Sequence, residues 1–145
     1  MLERTIRAII ADQKLLKMHG EDSVVDAAKA MSERRVAAAL VSDGGETYGI
    51  VTDHDIVDRV VAADLAPAQT ILLHIMTPDP VSIGIDDTAL QALFAMRDHN
   101  TRHLLVKDGS DVAGIISVRD LMRALVGQIL NDHDIGDDLW RELRV

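Results

Sequence analysis

The chain has 145 residues, and 24 Asp+Glu against 15 Lys+Arg give it a net charge of −9, which opposes non-specific binding to nucleic-acid phosphates. It has no Cys, which excludes disulfides, zinc-thiolate sites and cysteine nucleophiles, and its core must be aliphatic because hydrophobic content is 48% but aromatic content only 2%. No apolar run approaches the roughly 18 residues that span a bilayer, and Met1-Leu2-Glu3-Arg4 opens a mixed-charge stretch unlike a signal peptide, so a soluble, cytoplasmic protein without membrane or nucleic-acid partners is expected.

The first element in chain order is a short strand around Leu15–Met18. Ser23 then caps a helix whose apolar face runs through Val24, Ala28 and Met31, a helical spacing. A buried strand is expected over Val36–Val41, a turn at Asp43-Gly44-Gly45, and a second strand over Tyr48–Thr52. The next helix begins near Asp53, and Ala63–Thr70, containing Pro67, reads as a linker. After Pro78 and Pro80 the order repeats: a strand at Val81–Ile83, a helix capped by Thr88 with Ala89, Leu93 and Met96 on its face, and a strand over Leu104–Val106. A turn at Asp108-Gly109-Ser110, a strand over Ala113–Ser117 and a helix from Val118 complete it.

This recurrence is an internal repeat. A shift of 65 residues lays Gly49-Ile50 on Gly114-Ile115, Ala30-Met31 on Ala95-Met96, Asp43-Gly44 on Asp108-Gly109 and Asp55 on Asp120. Between Gly20 and Val61 it needs no gap and gives 12 identities in 42 positions, several at turns, which is too many for chance. The expected boundaries are 1–66 for the first repeat with an N-terminal extension, 67–127 for the second, and 128–145 for a C-terminal helical extension. The fold class is mixed α/β (α+β): two βαββα units packed sheet to sheet about a pseudo-twofold axis. Neither unit can bury its sheet alone, and their junction creates two related clefts suited to ligands.

At each strand-to-helix junction stands Gly, two aliphatics, Thr or Ser, two variable residues and Asp: Gly49-Ile50-Val51-Thr52-Asp53-His54-Asp55 and Gly114-Ile115-Ile116-Ser117-Val118-Arg119-Asp120. One reading is a capping box, in which hydroxyl and carboxylate each satisfy a backbone N–H at the helix start. The other aims both groups into a cleft, where the carboxylate accepts from vicinal ribose hydroxyls and the helix end with nearby cations favours phosphate.

These motifs resemble the signature of CBS domains, the tandem βαββα repeats named after cystathionine β-synthase. The resemblance also rests on Met76-Thr77-x-Asp79-Pro80-Val81, the Ala-x-x-x-Met of each first helix, and Arg102-His103-Leu104-Leu105-Val106. It covers roughly Lys14 to Val126, and departs from the family where Leu105 replaces a frequent Pro. It implies a CBS pair, or Bateman module, that binds an adenosine nucleotide (AMP, ADP, ATP or NAD) as ligand and not as catalytic cofactor, and responds in shape or assembly. Carried over, Asp55 and Asp120 hold ribose, helped by Thr52 and Ser117; His54 and Arg119 meet phosphate; Arg102 and His103 add to the second cleft. Met18, Val36, Val81 and Ile83 flank the base. The first repeat has Ala37-Ala38 where the second has Arg102-His103, so the second cleft is expected to be the better phosphate site.

His99 and His103 are separated by a helix-to-strand break and are not expected to form a metal pair, and His133 between Asp132 and Asp134 reads as a solvated acidic tail. Ile129, Leu130, Ile135, Leu139, Trp140 and Leu143 make the C-terminal extension too apolar for a purely solvated tail. No nucleophile motif or Gly-rich phosphate loop is present, so a non-enzymatic regulator is expected: a homodimer acting on a partner protein still to be identified. The competing expectation is a scaffolding homodimer whose motifs act only as helix caps.

Overall fold

The computed structural model describes residues 4–44 and 46–132. In chain order the elements are helix α1 (Ile6–Ile9), strand β1 (Lys17–His19), α2 (Val24–Arg34), β2 (Ala38–Asp43), β3 (Glu46–Thr52), α3 (Asp53–Ile56), β4 (Thr77–Pro78), β5 (Ser82–Gly84), α4 (Ala89–Asp98), β6 (His103–Asp108), β7 (Asp111–Ser117) and α5 (Val118–Asp132). They form two sheets of order β1-β2-β3-β4 and β5-β6-β7, with β1 and β5 parallel to their neighbours and the hairpins antiparallel. Among the described residues no helix is long and apolar enough to cross a membrane.

The duplication holds at the level of register. Lys17 faces Leu40 as Ser82 faces Leu105, and a bulge falls after Val41 and after Val106. Gly44 and Gly109 take positive φ at the hairpin turns, a conformation that glycine adopts without steric cost. Ser23 and Thr88 cap α2 and α4 as expected. The strand ends differ from the expected bounds by one or two residues, with β1, β2 and β5 starting later, and the buried stripes are Val24, Ala27, Met31 and Ala89, Ala92, Met96, with Ala28 and Leu93 at the rim. An α-helix buries i, i+3 and i+7 as readily as i, i+4 and i+7.

Each unit has its own core. Leu16, Val24, Met31, Val41, Val51, Val60 and Leu72 fill the first; Ile6, Ile85, Met96, Leu104, Val106, Ile116 and Leu121 fill the second. A third cluster joins the sheets: Leu40 and Ile50 meet Leu105 and Ile115, which are one pair and its repeat. Leu105 is 3% exposed in that cluster, so an aliphatic at the family's frequent Pro position serves the interface between units.

Ile6 and Leu72 each lie in the core of the other unit's elements. The segment before the first repeat packs on the second: Ile6 N–H donates to Asp87 O (2.9 Å), Arg7 N–H to Ile85 O (2.8 Å), and Ala89 N–H to Arg4 O (3.0 Å). The segment before the second repeat packs on the first in the same way, through Leu72 to Asp22 (3.0 Å), Leu73 to Gly20 (3.0 Å) and Val24 to Thr70 (2.9 Å). The two segments are thus exchanged between units. Thr70, expected to end the linker, is buried and belongs to this packing.

Candidate functional site

A cleft of about 480 Å³ opens between the units on the Ser117/Asp120 side, within the range of small-ligand sites. Four stretches build it: Gln13–Leu16 before β1, Arg35–Ala38 between α2 and β2, Arg102-His103 entering β6, and Ser117–Asp120 with Arg123 at the start of α5. Of the residues nominated from sequence it brings together Val36, Arg102, His103, Ser117, Arg119 and Asp120. The polar residues Gln13, Lys14, Arg35, Asp53 and Arg123 also line it and were not nominated, and Leu15, Leu16, Ala37, Ala38, Ile115 and Val118 add apolar wall. The repeat could have singled out Arg35 and Arg123 as cations present in one copy only.

The geometry at Asp120 serves two purposes. Its Oδ2 accepts from Ser117 N–H (2.8 Å) and Ser117 Oγ–H (2.9 Å), while Ser117 Oγ accepts from Asp120 N–H (3.1 Å), which makes a capping arrangement. Among the described residues, Oδ1 accepts no hydrogen bond. One carboxylate oxygen therefore remains available on the cleft wall beside the start of α5.

The first repeat carries the same box in a closed form. Thr52 N–H donates to Asp55 Oδ2 (2.9 Å) and Asp55 N–H to Thr52 Oγ1 (3.2 Å). Here the second oxygen is occupied, because Arg59 Nε lies 3.8 Å from Asp55 Oδ1, and the Asp55 side chain is only 10% exposed. Arg59 is fixed in turn, donating from Nη1 to Ile75 O (2.9 Å) and Met76 O (3.1 Å) on the exchanged segment. Its equivalent, by the 65-residue shift, is Ala124. A π-helical turn over Val57–Val61 carries Arg59, closed by Ala62 N–H to Val57 O (2.8 Å). Thr52 and Asp55 thus act as a structural cap, and His54 is exposed on α3. Met18 packs against the first core; Val81 and Ile83 pack against the second. None of these six lines the 480 Å³ cleft.

A second local difference shapes the open cleft. In the first unit β4 pairs with β3 through Thr77 and Pro78, so closely that a Cβ on Gly49 would overlap the Thr77 carbonyl. In the second unit the side-chain amide of Gln13 takes this role: Nε2 donates to Ile115 O (2.6 Å) and Oε1 accepts from Ile115 N–H (3.1 Å). One side chain substitutes for a strand.

The charges are distributed unequally. Lys14, Arg35, Arg102, Arg119 and Arg123 line the cleft against the carboxylates of Asp53 and Asp120, an excess of cations in a chain of net charge −9. Among the described residues none of the five cations lies within 4.0 Å of a carboxylate. Four of them have no lysine or arginine at the equivalent position of the other repeat: Asn100 stands for Arg35, Ala37 for Arg102, His54 for Arg119 and Asp58 for Arg123. Burial pushes the His103 imidazole below its ordinary pKa, against the pull of Asp53, Asp120 and Asp55 and with help from Arg102. His103 is therefore a neutral donor or acceptor at neutral pH.

His99 caps the end of α4 and is exposed, and among the described residues no three His, Asp or Glu side chains gather as a metal site. His133 and its neighbouring carboxylates, and the apolar side chains from Ile129 onward, lie outside what is described of the side chains.

The CBS-domain profile matches residues 6–62 and 72–127. The chain is 34% identical over 142 residues to the CBS domain-containing protein CBSCBSPB3 of Arabidopsis thaliana, covering 96% of this chain and 25% of that one. The chain spans about a quarter of the length of the first curated relatives it matches. Among solved structures it is similar to a Burkholderia ambifaria protein named for signal transduction and CBS domains (TM-score 0.80, 29% identity, 86% of this chain and 95% of that one). It is also similar to a hexameric CBS-CP12 protein of bloom-forming cyanobacteria (TM-score 0.70, 28% identity, 76% and 65%). These relatives are named as CBS-domain or signal-transduction proteins and not as enzymes. Two exchanged βαββα units, the repeated Gly-x-x-Thr/Ser-x-x-Asp box and the profile match over both halves place this chain in the CBS-domain family, as a tandem pair.

Proposed function

We propose that the chain is a regulatory binding module that takes one adenosine nucleotide (AMP, ADP, ATP or NAD) in the Ser117/Asp120 cleft and signals through conformation or assembly. The observation that carries this reading is the pairing of a half-free carboxylate with five cations in an otherwise acidic chain. Oδ1 of Asp120 suits a ribose diol, the cations suit phosphate, and Leu15, Leu16, Val36 and Ile115 offer apolar walls to a base. The nucleotide serves as a ligand and not as a catalytic cofactor.

A scaffolding role is favoured by one specific observation, the closed box of the first repeat, where the motif is a cap only. The two readings thus apply to different halves. Self-association into a homodimer fits the exposed Val57, Val61, Phe94 and Met122, which are 46–62% exposed on helical surfaces. Any regulated partner would meet the module in that form. Calorimetric titration of AMP, ADP, ATP and NAD tests the ligand reading, with Asp120→Ala as control. Saturable binding lost in the variant supports it; no binding to any of the four rejects it. Light scattering tests the assembly, and a monomer at micromolar concentration would reject the homodimer.

A further inference from the structure

Beyond the cleft lies a second groove of about 660 Å³, and the two share Gln13, Lys14, Arg35, Val36, Asp120 and Arg123 at their junction, three cations to one carboxylate. Arg35 reaches this junction at a conformational cost. It ends α2 in the left-handed region, with φ 53° and ψ 44°, and its N–H closes the helix on Met31 O and Ser32 O. The second repeat holds the equivalent position at φ 48° with Asn100, a residue suited to that conformation. An arginine is less suited to this backbone conformation than the asparagine at the equivalent position of the other copy. A side chain retained in a disfavoured backbone conformation, at the border of two cavities and beside two further cations, points to a ligand.

We infer that Lys14, Arg35 and Arg123 form an oligophosphate subsite, so that the chain selects nucleoside di- and triphosphates over monophosphates. The inference rests on the nucleotide reading for the position of the nucleoside at Asp120. A single phosphate next to Arg119 leaves three cations against the one carboxylate of Asp120 at the junction, and each added phosphate supplies a further counter-charge. Charge-assisted hydrogen bonds to a guanidinium fork are the strongest available to a phosphate chain.

The test titrates adenosine, AMP, ADP, ATP and inorganic tripolyphosphate into the wild-type chain and the Arg35→Asn variant, and records the melting temperature of both. The wild type is expected to bind ATP at least about tenfold more tightly than AMP, and Arg35→Asn to remove about tenfold from ATP and markedly less from AMP, so that the preference for ATP narrows. The variant should melt no lower than the wild type, because it adopts the residue of the other repeat. Binding of tripolyphosphate weakened by Arg35→Asn, with adenosine and AMP inert, would keep the subsite and reject the nucleoside position. Equal affinity for AMP and ATP, or a variant that weakens both alike, would overturn the subsite and leave the nucleotide reading intact. Silence of all five ligands would overturn both.

Discussion

Replacing Asp120 and Asp55 by Asn, one at a time, should separate two identical motifs into a binding group and a structural one. Asp120→Asn keeps an acceptor for the Ser117 N–H at 2.8 Å but loses the charge behind Oδ1, which meets no donor among the described residues. A hydrogen bond to a charged group contributes about 1.5–3 kcal/mol, so losing the carboxylate should weaken nucleotide binding by roughly ten- to a hundredfold. Stability should fall little, because the cap hydrogen bonds survive. Asp55→Asn reverses the pattern. It leaves Arg59 without its counter-charge beside a buried cap, 3.8 Å away, and removing one partner of a largely buried pair costs up to about 3 kcal/mol, lessened here because the Arg59 side chain is 44% exposed. Calorimetry reads the affinities and urea unfolding reads the stabilities. Equal loss of affinity in both variants would refute the division, as would a loss of stability confined to Asp120→Asn.

Three further outcomes follow from the same geometry. His103 is held below its ordinary pKa near 6.5 by burial, so its contribution to stability is complete above that value and is lost as pH falls through the lowered folded value. A bound phosphate would pull that pKa back up, so nucleotide affinity should rise as pH drops below about 6.5 and should do so less in His103→Gln, measured by calorimetry at several pH values. Gln13→Ala removes both amide hydrogen bonds to Ile115, each worth about 0.5–1.5 kcal/mol, and should speed amide hydrogen exchange along β7 and at residues 4–13 while the first unit stays protected. Leu40→Ala and Leu105→Ala each truncate one of the four buried side chains of the cluster between the sheets and should each cost about 2–5 kcal/mol by denaturant unfolding, and their double variant should depart from additivity because the two side chains share one cluster.

Much of the fold was legible because duplication doubles each signal. One Thr-x-x-Asp is a common cap, but its return 65 residues later beside Gly-Ile makes strand, turn and helix visible together. The exchange of the segments at Ile6 and Leu72 was not legible. Neither segment was assigned an element from the sequence, and nothing in an apolar pattern says which of two similar cores receives it. The site was legible in part for a related reason. Ser117, Asp120, Arg119, Arg102 and His103 lie on the repeated framework, where comparison of the copies exposes what is unequal. Gln13 and Lys14 precede the ungapped repeat, and Arg59 acts through a π turn and carbonyls sixteen or seventeen residues away, which no local spacing announces.

The exchange also bears on how a ligand could be felt by the rest of the chain. The cleft is lined by Lys14 and Arg35 from the first repeat and its leader, and by Arg102, Ser117 and Asp120 from the second. A ligand there contacts both units at once, close to the four aliphatic side chains that hold the sheets together. Binding to a bridged site favours whichever relative arrangement of the units brings cations and carboxylate to the same molecule, and it does so only by its differential affinity for that arrangement. In the first repeat Arg59 instead ties the Asp55 box to the exchanged segment at Ile75 and Met76, within one unit's core. The two halves of the duplication would then differ in what meets the motif carboxylate. An internal arginine holds the motif carboxylate of the first repeat, and the ribose of the proposed nucleotide would engage that of the second.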